Sequence, residues 1–279
     1  MSIWQSIHDE FITDVIHYQQ ISPTPISQAA HTTTTLLRWR AEHRRQGFSR
    51  IVRYPPQHTW QLPGPAKKLP KRKDLEVFSP RYQSPRCRPV IQLTTRSGRH
   101  PWYHTYRFAA SALRFIFLRG NTGWTLHGTQ SFAQQLQTKH ADAQIAFVRT
   151  RVVLANFDVD KCYTELSKDH LYATAHHLIF TSGLELVSVH RYTRVCFAGR
   201  TMAQHRFHKY TLQHIWLAVK HELDNSVFTV GSHTFKQIWG IFMGGMFSAI
   251  LMIAYCAHHE RHVYMLFPEP HIRVDGVRE

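Results

Sequence analysis

The stretch KQIWGIFMGGMFSAILMIAYCAHHE, residues 236–260, is the most informative part of the sequence. It begins with a polar pair, includes Gly240 and Gly244 among its three glycines, and continues into small and apolar residues typical of a buried helix. Glycine at these positions lets the backbone approach a neighbouring group closely. The preceding SVFTVGSHTF (Ser226–Phe235) predicts a β-hairpin with its turn at Gly231-Ser232. A hairpin, a glycine-rich loop and a helix are therefore expected in succession.

Hydrophobic periodicity upstream predicts further helices and strands. Helices are expected at residues 106–118, 131–139 and 204–223, and strands at residues 88–93 and 151–160. The helix at 204–223 would place one set of residues on a single face, namely Phe207, Thr211, Ile215, Val219 and Leu223.

The predicted strand RVVLANFDVD (Arg151–Asp160) carries Asp158 near its end, after a run of mostly apolar or small residues. Two Mg²⁺ ions held by carboxylates can activate a hydroxyl and neutralise a triphosphate, and a strand end is a suitable place for such a ligand. Tyr163 follows five residues later. This pair resembles motif A of reverse transcriptases, and the resemblance implies that Asp158 binds Mg²⁺ and that Tyr163 excludes the ribose 2′-hydroxyl.

The stretch from Lys236 resembles motif B of the same family, where a glutamine precedes a glycine-rich loop and a helix. The matching residues are Gln237, Gly240, Ile241, Met243, Gly244 and Ser248. Phe242 stands where the family usually has proline. The resemblance implies that Gln237, Gly240 and Gly244 contact the template and the incoming nucleotide.

The segment SPRYQSPRCRPVIQL (Ser79–Leu93) resembles the fingers hairpin of reverse transcriptases. In this interpretation Arg88, with Arg81 as a looser candidate, holds the triphosphate. Guanidinium groups suit that role because they bind phosphate in a bidentate fork.

Motif C of the family carries Asp-Asp on a hairpin, and the first Asp is a second metal ligand. Ile272–Asp275 resembles the approach to that hairpin, but Gly276 replaces the second Asp and the chain ends four residues after Asp275. We therefore expect Asp275 to be a poor ligand and the two-metal Mg²⁺ site to be incomplete.

The motifs occur in the family's order, and VHRYTRV (Val189–Val195) is similar to the corresponding region of telomerase reverse transcriptases; a Penelope-like or other non-LTR retroelement enzyme fits nearly as well. The resemblance implies an α+β fold with polymerase fingers and a partial palm, its antiparallel sheet backed by helices. Residues 1–75 are expected to be a separate, basic and Pro-rich extension, 76–150 the fingers-like region and 151–279 the partial palm. The implied function is RNA-directed DNA polymerisation from an RNA template, a DNA primer and deoxynucleoside triphosphates.

Charge supports a nucleic-acid partner. The 279 residues include 34 Lys and Arg against 18 Asp and Glu, a formal net charge of +16, and 13% are aromatic. This mixture suits phosphate contact and base stacking, so we favour nucleic acid over an anionic membrane. Four scattered cysteines without a Cys-x-x-Cys pair, and acidic residues near the N-terminus, indicate an intracellular protein of the nucleus or cytoplasm that is not secreted.

Three alternatives remain from the sequence. Ile238–Ala257 comprises 20 uncharged residues with GxxxG spacing, which would suit a single-pass membrane protein. A protein that binds RNA or DNA without catalysis would keep the charge and fold but need no metal site. His258 and His262 would share a helix face and could bind a metal, although no HExxH motif accompanies them.

Overall fold

The structure is a computed structural model that describes residues 13–22, 66–70, 87–91, 94–95, 98–99, 103–120, 137, 163–199 and 204–266. The strands within these ranges are β1 (Tyr18–Ser22), β2 (Ala66–Pro70), β3 (Cys87–Ile91), β4 (Thr94–Thr95), β5 (Gly98–Arg99), β6 (Leu186–His190), β7 (Cys196–Ala198), β8 (Phe207–Thr211), β9 (Val227–Val230) and β10 (His233–Gln237). The helices are α1 (Tyr103–Gly120), α2 (Lys168–Phe180), α3 (Leu212–Asp224) and α4 (Ser248–Leu266), with a 3₁₀ turn at Gln204–Arg206. Helices and antiparallel sheets together confirm the α+β class.

The main hydrophobic core lies among the four helices and the antiparallel sheet β7-β6-β8. Helix α3 has apolar residues at helical spacing, and Ile215, Val219 and Leu223 are all buried, as the sequence predicted. Helix α1 contributes Leu113 and Ile116, both almost completely buried. These apolar residues place α1 and α3 in the same core.

The helix predicted at residues 204–223 is wrong in its first part. Phe207–Thr211 forms β8, which pairs with β6 through five residue pairs from His190↔Phe207 to Leu186↔Thr211. The ladder with β6 and the complete burial of Tyr210 outweigh the helical periodicity that seemed to continue through Phe207. Thr211 then caps α3, because its side chain accepts a hydrogen bond from the His214 N–H.

A second sheet, in the order β1-β10-β9, contains the hairpin that the sequence predicted. Its turn lies at Gly231, whose φ is +59°, and Phe235 pairs with Phe228 across the hairpin. β1 lies on the other side of β10, with Tyr18 opposite Gln237. Part of the 1–75 segment, expected to be separate, therefore joins this sheet, because β10 otherwise offers an unpaired edge.

The apolar segment 238–257 is not one continuous helix. Residues 238–247 form an irregular loop, and α4 begins only at Ser248. Among the residues that the structure describes, no helix is long and apolar enough to cross a membrane.

Some of the remaining predicted strands and helices are present in the structure, and others lie outside the described residues. β3 corresponds to the strand predicted at residues 88–93, and α1 extends the helix predicted at 106–118 at both ends. β2 forms within the Pro-rich extension, because residues 66–70 pair with β3. The strand predicted at 151–160, and all of the helix at 131–139 except residue 137, lie outside the described residues.

Candidate functional site

The glycine-rich loop, residues 238–247, is in direct contact with the segment that follows the predicted motif A. The Ile241 N–H donates to the Tyr163 carbonyl at 2.8 Å, and the Gly240 N–H donates to the Leu166 carbonyl at 2.9 Å. These two bonds hold the loop beside residues 163–166, which lie more than 70 residues earlier in the sequence.

Gly240 is required by this contact in two ways. Its φ is +73°, a left-handed conformation that only glycine adopts without strain. A Cβ at this position would lie 2.5 Å from the Tyr163 carbonyl oxygen and 2.6 Å from that of Thr164, both of them backbone atoms. Any other residue would therefore push the loop away from the Tyr163 segment.

The loop is also attached to the chain that precedes β1. The Ile238 N–H donates to the His17 carbonyl at 2.8 Å. The His17 ring in turn contacts Asp14, with Nδ1 at 2.7 Å from Oδ1, and its Nε2 lies 3.6 Å from a carboxylate oxygen of Glu165. His17 therefore links β1, the loop and the Tyr163 segment.

Lys168, at the start of α2, fixes the base of the loop. Its Nζ donates to the Gln237 carbonyl at 2.6 Å and to the Leu223 carbonyl at 2.8 Å. Burial, followed by the charge of Lys236, lowers the pKa of Lys168 to about 8. One cation thus ties the end of β10 to the end of α3.

Glu222, on α3, holds the other end of the loop. Its carboxylate accepts hydrogen bonds from the Met246 N–H at 3.1 Å and the Phe247 N–H at 3.0 Å. These N–H groups come just before α4, where a helix has unpaired donors and a partial positive charge. Burial raises the pKa of Glu222 to about 7, although both hydrogen bonds act to lower it.

The turn into α4 is closely packed. The Ser248 hydroxyl donates to the Phe242 carbonyl at 2.6 Å. A Cβ on Gly245 would lie 2.7 Å from a Glu222 carboxylate oxygen and 2.4 Å from the Ser248 hydroxyl oxygen. The loop is therefore fixed at both ends and in its middle, while Gly244 and Trp239 remain exposed between these attachments.

These attachments fix the backbone of the loop, so its exposed side is a fixed surface for a ligand. Gly244 has φ of +105° and is exposed, and it carries no side chain of its own that would separate a ligand from its peptide. Of the residues that hold the loop, Glu222 is buried, and Lys168 and His17 are half-buried. The site is thus suited to positioning a ligand by close contact.

Four of the residues singled out from the sequence lie here. Tyr163 is half-buried and packs against the main core, while Gln237 is buried, with 1% of its surface exposed. Gly240 is buried in the contact with Tyr163, and Gly244 is exposed.

Arg88 lies in β3 opposite Leu69, and only its backbone is described. Asp158, Asp275 and Arg81 lie outside the described residues.

The histidine hypothesis gains no support. The His258 ring lies against His177 of α2, with ring centroids 5.7 Å apart. In the part of the chain that the structure describes, no group of three His, Cys, Asp or Glu residues could hold a metal ion.

Sequence reasoning missed Lys168, Glu222 and His17. Glu222 had a usable signal, since it falls seven residues after Ile215 on the apolar stripe of α3, where a carboxylate needs a partner. Lys168 and His17 act through backbone carbonyls, and nothing in their sequence context indicates those partners.

Comparison with solved structures places this geometry in a known fold. The apo telomerase of Candida tropicalis truncated from its C-terminal domain matches 95% of this chain with a TM-score of 0.52 and 16% identity. The apo telomerase of the same organism, and that telomerase in complex with a TWJ fragment of telomeric RNA, each match with a TM-score of 0.53 and 14% identity. No protein-family model matches the chain. No curated protein matches it either.

The fold of this chain is therefore similar to part of the telomerase fold. The particular structures that it resembles are telomerases, and at 14–16% identity the likeness is one of fold alone. This chain spans 45%, 40% and 37% of the lengths of those three chains, which is less than half of each.

Proposed function

We propose that this chain is a reverse-transcriptase-like protein that binds an RNA template with a DNA primer inside the cell. The reaction to which its motifs point is metal-dependent addition of deoxynucleotides, and we propose that its own metal site is incomplete. The fold shared with telomerases and the net charge of +16 support a nucleic-acid partner.

The contact between the Gly240–Ile241 backbone and the Tyr163–Leu166 backbone carries this proposal. In the proposed site the nucleotide and the template base lie against the glycine-rich loop. Gly240, Lys168 and Glu222 support that surface by preventing the loop from moving. Preorganised contacts of this kind align reacting groups.

The proposed position of the nucleotide and template base against the loop assigns a role to each predicted residue. Tyr163 would restrict the sugar to deoxyribose, and Gln237 and Gly244 would position the template base and nucleotide. Gln237 would act through the backbone that Lys168 holds, since its side chain is buried. Arg88, with Arg81, would bind the triphosphate.

The metal part of the proposal rests on the sequence alone. Asp158 and Asp275 would be the Mg²⁺ ligands, and Gly276 stands in place of a further carboxylate. Loss of a carboxylate from a two-metal site costs orders of magnitude in rate.

The test uses a fluorescein-labelled DNA primer annealed to an RNA template. Fluorescence anisotropy at several salt concentrations measures binding, and gel-resolved extension with Mg²⁺ and deoxynucleotides measures activity. We expect binding that weakens log-linearly with salt, and no robust extension. Asp158→Ala should bind as the wild type does, because one carboxylate adds little to phosphate contact.

Two results would contradict the proposal in different ways. Absence of salt-dependent binding would remove the nucleic-acid function altogether. Robust extension that disappears in Asp158→Ala would show that the metal site is complete, and would leave only the binding part of the proposal standing.

A further inference from the structure

The sheet β7-β6-β8 has one face that no part of the proposed site uses. Alternate residues of a strand point to opposite faces. Val187 and Val189 of β6 are completely buried on the face that packs against α1. The strand pairings place Phe197 and Lys209 on either side of Ser188, and Phe207 opposite His190, on the other face.

Aromatic rings form a continuous row along this other face. Phe197 contacts Phe207 edge to face at 5.7 Å, Phe207 contacts His190 at 5.1 Å, and His190 contacts Tyr192 at 5.8 Å. The two ends of the row are open to solvent, since 46% of Phe197 and 83% of Tyr192 are exposed. Such exposure of large rings is costly in water unless they meet a partner.

Positive charge surrounds the row. Arg191, Arg194 and Arg206 are exposed, and Lys209 is half-buried. Arg191 and Arg206 are held side by side, because the Arg191 N–H donates to the Arg206 carbonyl at 2.9 Å. Arg194 lies in the turn after Tyr192, with φ of +62°. Within the described ranges no carboxylate forms an ion pair with any of these four cations.

We propose that this basic-aromatic face binds single-stranded nucleic acid; its residues are Phe197, Phe207, His190, Tyr192, Arg191, Arg194, Arg206 and Lys209. Unstacked bases stack on exposed rings, while guanidinium and ammonium groups contact the backbone phosphates. A duplex offers only its phosphates to such a surface, because its bases already stack on each other. The partner is thus a single strand.

This inference deepens the proposed function, since a template-copying protein must also hold template that is not yet paired. It concerns a surface separate from the glycine-rich loop, and it requires no nucleotide addition. Failure of primer extension would therefore leave it standing.

The experiment measures anisotropy of fluorescein-labelled 12-mers of oligo(dT) and oligo(rU) with the full chain. Tyr192→Ala and Phe197→Ala should each weaken binding about five- to a hundredfold, the range expected for loss of one stacked base. Tyr192→Phe should bind like the wild type, because it keeps the ring. The triple variant Arg191→Gln, Arg194→Gln, Arg206→Gln should reduce the slope of log affinity against log salt by about 2.

Two controls match these changes elsewhere on the surface. Phe180→Ala removes a ring that is 39% exposed at the end of α2, and Arg114→Gln removes an exposed charge on α1. Both should leave oligonucleotide affinity within about twofold of wild type, and thermal unfolding verifies that every variant is folded.

Three outcomes would overturn the inference. Unchanged affinity in Tyr192→Ala and Phe197→Ala would exclude stacking on this face, and would point to another partner for it, such as a protein. Weakening by the arginine changes alone would indicate a merely electrostatic surface. Equal competition by an unlabelled 12-base-pair duplex would show that unpaired bases are not recognised. If the primer–template complex still binds in any of these cases, the proposed function survives.

Discussion

Glu222→Gln provides a sharp test of how the glycine-rich loop is held. The Glu222 carboxyl is 2% exposed and accepts hydrogen bonds from two consecutive backbone N–H groups, those of Met246 and Phe247. An amide has one acceptor oxygen, so Gln would leave one buried N–H without its bond. That loss costs about 1–3 kcal/mol.

Protonation of Glu222 also makes the stability of the protein depend on pH. Burial raises the pKa of Glu222 from 4.5 to about 7, so between these pH values the folded protein binds a proton that the unfolded chain does not. The resulting stability is complete below pH 4.5 and is lost as the pH rises through about 7. The interval corresponds to about 3 kcal/mol. Gln cannot ionise, so the variant lacks this loss.

Urea unfolding, followed by tryptophan fluorescence at pH 5, 6, 7 and 8, measures the effect. Glu222→Gln should be destabilised by about 1–3 kcal/mol at pH 5, and the deficit should shrink by about 3 kcal/mol by pH 8. The control is Glu185→Gln, which removes an exposed carboxylate and should change stability by less than about 0.5 kcal/mol at any pH. A difference between wild type and Glu222→Gln that stays constant across this range would refute the assignment of a buried, titrating carboxyl.

Three further changes test the other attachments by the same urea unfolding. Gly240→Ala should cost more than about 2 kcal/mol, since the new Cβ would meet two backbone carbonyl oxygens. The control Gly231→Ala also has a positive φ, but its Cβ would meet no atom within 4 Å, so it should cost only about 1 kcal/mol. Equal costs of the two changes would contradict the close contact at Gly240. Lys168→Met should cost about 1–3 kcal/mol, because it leaves two carbonyls unbonded. The control Lys220→Met removes an exposed ion pair with Asp224 and should cost less than about 1 kcal/mol. Thr211→Ala should cost about 1 kcal/mol through loss of the α3 cap, and no change would mean that the cap is not formed in solution.

The hairpin β9–β10 could be predicted because its information is local. Alternating apolar residues and the Gly231-Ser232 turn are enough to set its register. The strand β8 could not, since Phe207–Thr211 fits helical periodicity equally well and only pairing with β6 selects the extended form. The membrane-spanning alternative required one helix from Ile238 to Ala257, but bonds to His17, Tyr163 and Glu222 hold residues 238–247 in the loop that the glycines indicated.

The sequence by itself determined the order of the motifs, the basic and aromatic character, and the two glycines on which the loop depends. These properties depend on residue type and spacing alone, so they can be predicted without knowing which distant residues are in contact. Only the tertiary structure decided that Lys168, Glu222 and His17 hold the loop, and that Tyr163 meets Gly240. The reason is physical: each of these contacts joins groups far apart in sequence, mostly through backbone atoms that every residue carries alike.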